Sequence, residues 1–166
     1  MLDTWHEGTA VDVLSTHMDP PTASPLFGDH VPLNALGEDG RNAFLSIAGQ
    51  PEGANLTIIE LRQLGGAFAE PGPAGGAVDH LDAQFGCFGV GILLGGNPEA
   101  VVREQLDALR LALRPWTNEF TIPSFVERFG APEKSFGPAT AARVEMTRRR
   151  IDPSGIFAGD VSTAVV

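Results

Sequence analysis

Alternating apolar and charged positions predict a β-strand over residues 57–64. Ile59 and Leu61 fall on one face of this strand, because successive side chains of a strand point to opposite sides. Glu60 and Arg62 fall on the other face. That charged face is compatible with an ordinary salt-bridged edge. It is equally compatible with the polar wall of a binding site, since the opposite face already serves the core.

A second strand is predicted over residues 85–94, and its two faces differ in character. One face carries Phe88 and further large apolar side chains, which suits packing against a helix. The other carries Cys87 and then only the glycines Gly89 and Gly91. Glycine weakens a strand unless a ligand or another backbone approaches closely. We therefore expect this glycine face to form a pocket wall, with Cys87 as a small apolar residue rather than a nucleophile.

Helical spacing of apolar residues predicts two longer helices. The first covers residues 97–113, with Asn97 as its cap, Pro98 at its first helical position and leucines spaced three and four apart. The second covers residues 138–151 and places the arginine run 148–150 in its last turn, where cations favour the helix dipole. The arginine run is typical of a solvated helix end. It could instead contact a neighbouring domain or a phosphate.

The order of these elements predicts an α+β fold, with an antiparallel sheet and helices packed mainly on one face. A shorter helix is predicted within residues 33–47. Residues 1–35 show little periodicity and contain several prolines, so we expect an extended N-terminal connector there.

Length, charge and cysteine content narrow the functional classes. The 166 residues carry 11 Lys and Arg against 21 Asp and Glu, a net charge of −10, which argues against nucleic-acid binding and against attraction to anionic membranes. No apolar run approaches the roughly 18 residues of a membrane span, and no secretory signal is recognisable, so we expect a cytoplasmic protein. The single cysteine and four scattered histidines predict neither a disulfide framework nor a metal site.

The glycines between residues 89 and 95 invite comparison with a dinucleotide-binding loop, because they follow a strand and precede a helix. The fingerprint requires its third glycine at position 94, where this chain has Leu94. A strand that continues through the segment is therefore favoured, and a nucleotide-binding domain stays as a minor alternative.

Three segments, taken in order, resemble FAD-linked oxidases of the berberine-bridge-enzyme-like, vanillyl-alcohol-oxidase type. Residues 61–67 and 80–85 are similar to strands of the substrate domain in that family. Residues 147–157 are similar to its C-terminal signature, in which a basic helix end is followed by Asp-Pro, an apolar residue and Phe. Further points of similarity are Trp116 and the connector-like segments 18–21 and 28–30.

The resemblance implies the second part of a two-part enzyme. In such oxidases an N-terminal domain binds FAD, and the antiparallel sheet of a substrate domain covers the isoalloxazine ring. This chain contains nothing similar to the first part, so the resemblance implies a substrate-binding or cap portion that is inactive and free of FAD when alone. Residues 36–116 would then be the substrate-domain sheet and helix, and residues 117–166 the berberine-bridge-like C-terminal segment. The implied partners are an FAD-binding domain or chain and a small-molecule substrate.

The family's site residues carry over only in part. Its Tyr-x-Asn-Tyr/Phe stretch corresponds to residues 122–125, of which only Phe125 matches. Ile122 stands where the family has tyrosine and cannot accept a proton, so no catalytic residue is assigned. Ser124 and Phe125 are the cofactor-side candidates. The substrate-pocket candidates are Glu60, Arg62, His80 and Cys87.

A second interpretation belongs to a different class of protein. The same sheet could serve a stand-alone ligand-binding or dimerisation module that uses no flavin. A second copy of the chain would then form a homodimer and cover the surface that an FAD-binding domain would otherwise hide.

Overall fold

The computed structural model describes residues 6–12, 22–49, 55–96, 98–125 and 135–156. These residues form a three-stranded antiparallel sheet and three α-helices, which confirms the predicted α+β fold. The strands, which lie in the order β1-β3-β2, are β1 (Leu26–Leu33), β2 (Ile58–Gln63) and β3 (Phe85–Ile92). The helices are α1 (Gly37–Ala48), α2 (Glu99–Leu113) and α3 (Pro138–Ile151).

Most elements agree with the hydrophobic pattern. The strands predicted over residues 57–64 and 85–94 are confirmed as β2 and β3, each slightly shorter than predicted. The helix predicted over residues 138–151 is confirmed with the same bounds. The short helix predicted within residues 33–47 is α1, whose first residue, Gly37, has a positive φ of 60°.

The start of α2 differs from the prediction by one residue. Pro98 has an extended backbone, with φ −73° and ψ 138°, so it precedes the helix and Glu99 is the first helical residue. The carbonyl of Pro98 accepts the first bonds of the helix, from the N–H groups of residues 101 and 102. Asn97, the connector residues 18–21 and Phe157 lie outside the described residues.

β1 is the main departure from the sequence analysis. It lies in the segment interpreted as a connector, yet it pairs with β3 along its whole length, from Leu26 opposite Ile92 to Leu33 opposite Phe85. Pro32 is tolerated because β1 is an edge strand, where a missing N–H interrupts no ladder. The outer edge of β1 is met by the segment after α2, whose Asn118 N–H donates to the Pro32 carbonyl at 2.8 Å.

The core lies between one face of the sheet and the helices α1 and α2. Its centre is a cluster of buried apolar side chains: Val31, Leu33, Leu36, Cys87, Leu109 and Leu113. A second cluster under the start of α2 contains Leu56, Val102 and Leu106. Burial of these leucines and valines gives about 1.5–3 kcal/mol each, which holds α2 against β1 and β3.

The glycine face of β3 packs against α2, so the prediction that it forms a pocket wall is wrong. A Cβ on Gly89 would lie 2.7 Å from a methyl of Leu106, and a Cβ on Gly91 would lie 2.6 Å from both methyls of Val102. The glycines thus allow a helix, rather than a ligand, to approach the sheet. Cys87 lies on the same face with 1% exposure, and burial raises the pKa of its thiol to about 12. Cys87 is therefore a small apolar core residue rather than a nucleophile, as predicted.

The course of β3 shows whether residues 89–95 form a strand or a dinucleotide-binding loop. β3 continues through Gly91 to Ile92, and the chain reverses only at Gly95 and Gly96, where φ is 68° and 86°. A dinucleotide-binding loop instead turns sharply at its first glycines and feeds directly into the helix. The segment is therefore a strand and not a dinucleotide-binding loop.

Replacing Gly91 by alanine is expected to lower the free energy of unfolding by about 1 to 2 kcal/mol, because the added methyl overpacks the contact with α2. Besides Val102, the new Cβ would lie 2.8 Å from the backbone oxygen of Asn55, which cannot rotate away. Urea unfolding measures the change. Gly76→Ala, where a Cβ meets nothing within 4 Å, is the matched control and should leave stability unchanged. Equal stability of both variants would contradict the close approach of α2.

Candidate functional site

The face of the sheet opposite α1 and α2, called here the open face, carries the alternate set of side chains. The strand register aligns them in rows across the sheet. One row contains His30, Phe88 and Glu60, and the next contains Pro32, Gly86 and Arg62. Two aromatic rings, a carboxylate and a guanidinium are thereby placed beside a glycine that has no side chain to fill the space between them.

A cavity of about 210 Å³ lies on the open face. The sheet provides most of its wall, and the 3₁₀ turn Pro123–Phe125, which follows α2 in the chain, closes one side. Its lining residues are His30, Arg62, Gly86, Phe88, Ser124 and Phe125. The turn therefore brings the C-terminal part of the chain onto the sheet at the point where these two rows lie side by side.

His30 is the most confined polar group of the cavity. His30 is only 8% exposed, and its ring centroid lies 4.7 Å from that of Phe125. A Cβ on Gly86 would lie 2.8 Å from His30 Nε2, so the ring occupies the space that the glycine leaves. Within the described part of the chain, Nε2 is buried and has no hydrogen-bond partner.

The buried imidazole is neutral at pH 7. Burial lowers the pKa of His30 to about 4, and the charges of Arg110 and Arg62 act in the same direction, against the opposing effect of Asp29. A neutral imidazole can donate or accept one hydrogen bond at Nε2, depending on its tautomer. Because an unsatisfied buried polar atom costs about 1–3 kcal/mol, a ligand with a hydroxyl or carbonyl in the cavity gains by pairing with it.

Arg62 is held by its neighbour on the same strand face. Its Nε and Nη2 donate to the Glu60 carboxylate at 2.7 and 3.2 Å. Both side chains are partly exposed, at 47% and 31%, so the pair adds little to stability. Its effect is to fix the guanidinium at the cavity, where the remaining N–H groups can donate to a ligand.

The structure brings together some of the predicted site residues and separates others. Arg62, Ser124 and Phe125 line one cavity, with Glu60 bound to Arg62. His80 lies in the loop between β2 and β3 and bonds Asp79 at 2.7 Å, and it is not among the lining residues. Cys87 is on the other face of the sheet, in the core, so it cannot share a pocket with Arg62.

His30, Phe88 and Gly86 line the cavity but are not among the site residues that the sequence predicts. The sequence places His30 only in a connector-like segment, because β1 has no pattern that predicts a strand. Phe88 and Gly86 are not predicted as site residues because the sequence predicts that their face of β3 meets a helix. In the structure the opposite face of β3 meets the helix. Elsewhere, no group of three metal-ligating side chains is found among the described residues, nor is any described helix long and apolar enough to cross a membrane.

Comparisons with known proteins give a likeness of fold. No family model matches the sequence, and no curated protein matches it. Among solved structures, a variant of the BBE-like 1 protein of Physcomitrella patens superposes with a TM-score of 0.68 at 14% identity. The match covers 92% of this chain and 33% of that chain. The protein thus has the fold of about one third of a BBE-like structure, which agrees with the resemblance noted from the sequence.

Proposed function

We propose that this chain is the substrate-binding, or cap, portion of an FAD-dependent oxidoreductase. The observation that carries the proposal is the likeness of nearly the whole chain to one third of a BBE-like structure. The remaining two thirds of such a structure have no counterpart in this chain, so an FAD-binding domain or chain would complete the enzyme. The open face is the surface that we expect it to cover.

The cavity on the open face suits a small polar and aromatic substrate. Phe88 and Phe125 offer apolar ring surfaces, His30 offers a neutral nitrogen and Arg62 offers charged donors. Such convergent polar groups in an apolar cavity fix the orientation of a ligand. The protein's contribution would be orientation and exclusion of water.

The described residues do not fit a complete FAD molecule. The cavity of about 210 Å³ is smaller than the roughly 300–1,000 Å³ of sites that enclose a whole ligand. It can accept a substrate-sized group or one edge of a ring that another domain presents. We therefore propose that the chain alone binds no FAD, with Ser124 and Phe125 on the cofactor side.

The domain assignments follow from the same proposal. Residues 36–116, together with β1 from the N-terminal segment, would be the substrate-domain sheet and its helices. Residues 117–166 would be the C-terminal segment that delivers Ser124 and Phe125 to the open face. We also propose a cytoplasmic enzyme, with which the free buried thiol of the single cysteine, Cys87, is compatible.

The proposal predicts that flavin is retained only by the assembled enzyme. The purified chain should leave the fluorescence of FAD unquenched up to about 100 µM, a weak-binding limit. Co-expression with an FAD-binding chain encoded beside its gene should give a complex with one flavin per pair and oxidase activity. Tight stoichiometric binding of FAD to the chain alone would overturn the proposal.

Matched phenylalanine variants locate the interface in the same experiment. Phe125→Ala, in the cavity, should weaken flavin retention by the complex, whereas Phe68→Ala, in the β2–β3 loop and 47% exposed, should not. If the chain instead forms a defined dimer and binds small aromatic ligands without any partner, the module without flavin is the correct function.

A further inference from the structure

A second, larger cavity of about 670 Å³ lies away from the open face, between α3 and the loop that joins β2 to β3. Its volume falls within the range of small-molecule sites, and most of its lining residues are exposed, so the cavity is open to solvent. The loop contributes Gly75, Gly76, Ala77 and Asp79, and the helix contributes Thr140, Arg143, Val144, Thr147 and Arg148. The function proposed above uses none of these residues.

The helix residues of this cavity form one continuous face. They occupy positions i, i+3, i+4, i+7 and i+8, which places them on the same side of an α-helix. Thr140 is in the first turn and Arg148 in the last, so the face runs along the length of α3. Two arginines and two hydroxyl groups therefore line a single wall.

The charge of this wall is only partly neutralised. Arg143 has no hydrogen bond or ion pair from its side chain to any described residue. Arg148 donates twice to Glu145 at 2.7 Å, and Arg149 donates to the same carboxylate. One carboxylate thus serves two arginines, and with Arg143 the helix keeps an excess of positive charge in a protein whose net charge is −10.

The loop opposite offers backbone donors and one carboxylate. Among the described residues, the N–H groups of Gly76 and Ala77 have no hydrogen-bond partner. Asp79 lies at the cavity and bonds His80 through Oδ1, which leaves Oδ2 able to accept. A purely anionic ligand would be repelled by Asp79, whereas a ligand that also carries hydroxyl groups could donate a hydrogen bond to its carboxylate.

We propose that this cavity binds a phosphate-bearing small molecule with hydroxyl groups, such as a sugar phosphate. The phosphate lies against Arg143 and the free N–H groups of Arg148, since guanidinium groups bind phosphate oxygens with paired hydrogen bonds. A hydroxyl of the ligand donates to Asp79. This proposal is independent of the open face, so its failure would leave the proposed oxidoreductase role untouched.

The test uses the full chain and three probes that separate the parts of the ligand: ribose 5-phosphate, ribose and inorganic phosphate. Isothermal titration calorimetry should show ribose 5-phosphate binding with a dissociation constant between about 10 µM and 1 mM, and at least tenfold more tightly than either other probe. No binding of ribose 5-phosphate at about 10 mM, or equal binding of ribose, would overturn the proposal.

Two variants that each remove one arginine test whether the phosphate binds at a specific position in the cavity. Arg143→Ala should weaken ribose 5-phosphate binding about tenfold or more, as expected for loss of a hydrogen bond to a charged group. Arg149→Ala removes the same charge from a side chain that is 76% exposed and does not line the cavity, so binding should change less than about threefold. Equal losses in the two variants would indicate general electrostatic attraction and overturn the site.

Asp79→Asn tests the hydroxyl contact. Removal of the negative charge should strengthen the binding of inorganic phosphate while reducing the advantage of ribose 5-phosphate over it. If the affinity ratio of ribose 5-phosphate to inorganic phosphate stays the same, Asp79 does not accept a hydrogen bond from a ligand hydroxyl. The proposed ligand class would then be wrong. Circular dichroism confirms that each variant retains its helices.

Discussion

Replacing Arg110 by methionine is expected to lower the free energy of unfolding by about 3 to 5 kcal/mol, because it removes one partner of a buried ion pair. Arg110 lies on α2 and bonds Asp29 of β1, from Nε at 3.0 Å and from Nη2 at 2.8 Å. The same Nη2 donates to the carbonyl of His30 at 3.0 Å. The two side chains are 16% and 4% exposed, so the Asp29 carboxylate would remain in the core without its guanidinium.

Urea unfolding followed by tryptophan fluorescence measures this loss. Arg149→Met, whose side chain is 76% exposed, is the matched control and should change stability by less than about 0.5 kcal/mol. Adding Asp29→Asn to Arg110→Met should recover about 1 kcal/mol or more, because a neutral amide is easier to bury than a carboxylate. Similar losses for Arg110→Met and Arg149→Met would mean that β1 is not held through this pair.

β1, which contains Asp29 of this ion pair, is much harder to predict from the sequence than the other strands and α2 and α3. β2, β3, α2 and α3 were predictable because each carries a regular apolar pattern or clear end signals. β1 carries neither, since six of its eight residues, from Gly28 onward, are buried whatever their polarity. One of its faces meets α2, where Asp29 is neutralised by Arg110, and the other is covered at His30 by Phe125. Burial on both sides removes the alternation that identifies a half-exposed strand.

The reversed faces of β3 have a related cause. Period-two alternation shows which side chains share a face, but not which face meets a helix. Gly89 and Gly91 are compatible with the approach of either a ligand or a helix, and only the position of Leu106 and Val102 above them decides. The face of β3 that carries Phe88 and Val90 is predicted from the sequence to meet a helix, but it belongs to the open face, where Phe88 lines the cavity.

The candidate cavity was predictable only in its separate parts. Arg62 followed from the strand pattern, and Ser124 and Phe125 from the family resemblance. Their convergence depends on the chain after α2 returning along β1, which no local pattern specifies. His30 could not be recognised as a site residue before β1 was known, because a histidine outside a predicted element gives no direction for its side chain.

Acidification from pH 7 to pH 5 is expected to lower the free energy of unfolding by about 2 kcal/mol through His30 alone. Burial depresses the pKa of the folded imidazole from 6.5 to about 4. Between those two values the unfolded chain binds the proton and the folded chain does not, so stability is lost as the pH falls. Glu145, whose pKa is lowered from 4.5 to about 2 by hydrogen bonds from Arg148 and Arg149, affects stability mainly below about pH 4.5, outside the range from pH 7 to pH 5.

A pair of histidine variants isolates the effect. In urea unfolding at pH 7, 6 and 5, His30→Gln should remove most of the acid loss, since glutamine does not titrate. His80→Gln, at a histidine whose side chain is 43% exposed, should retain the acid loss of the unmodified protein. If His30→Gln loses as much stability at pH 5 as the unmodified protein does, the imidazole is already solvated or charged in the folded state. The open-face cavity would then lack the neutral nitrogen on which the proposed orientation of a substrate depends.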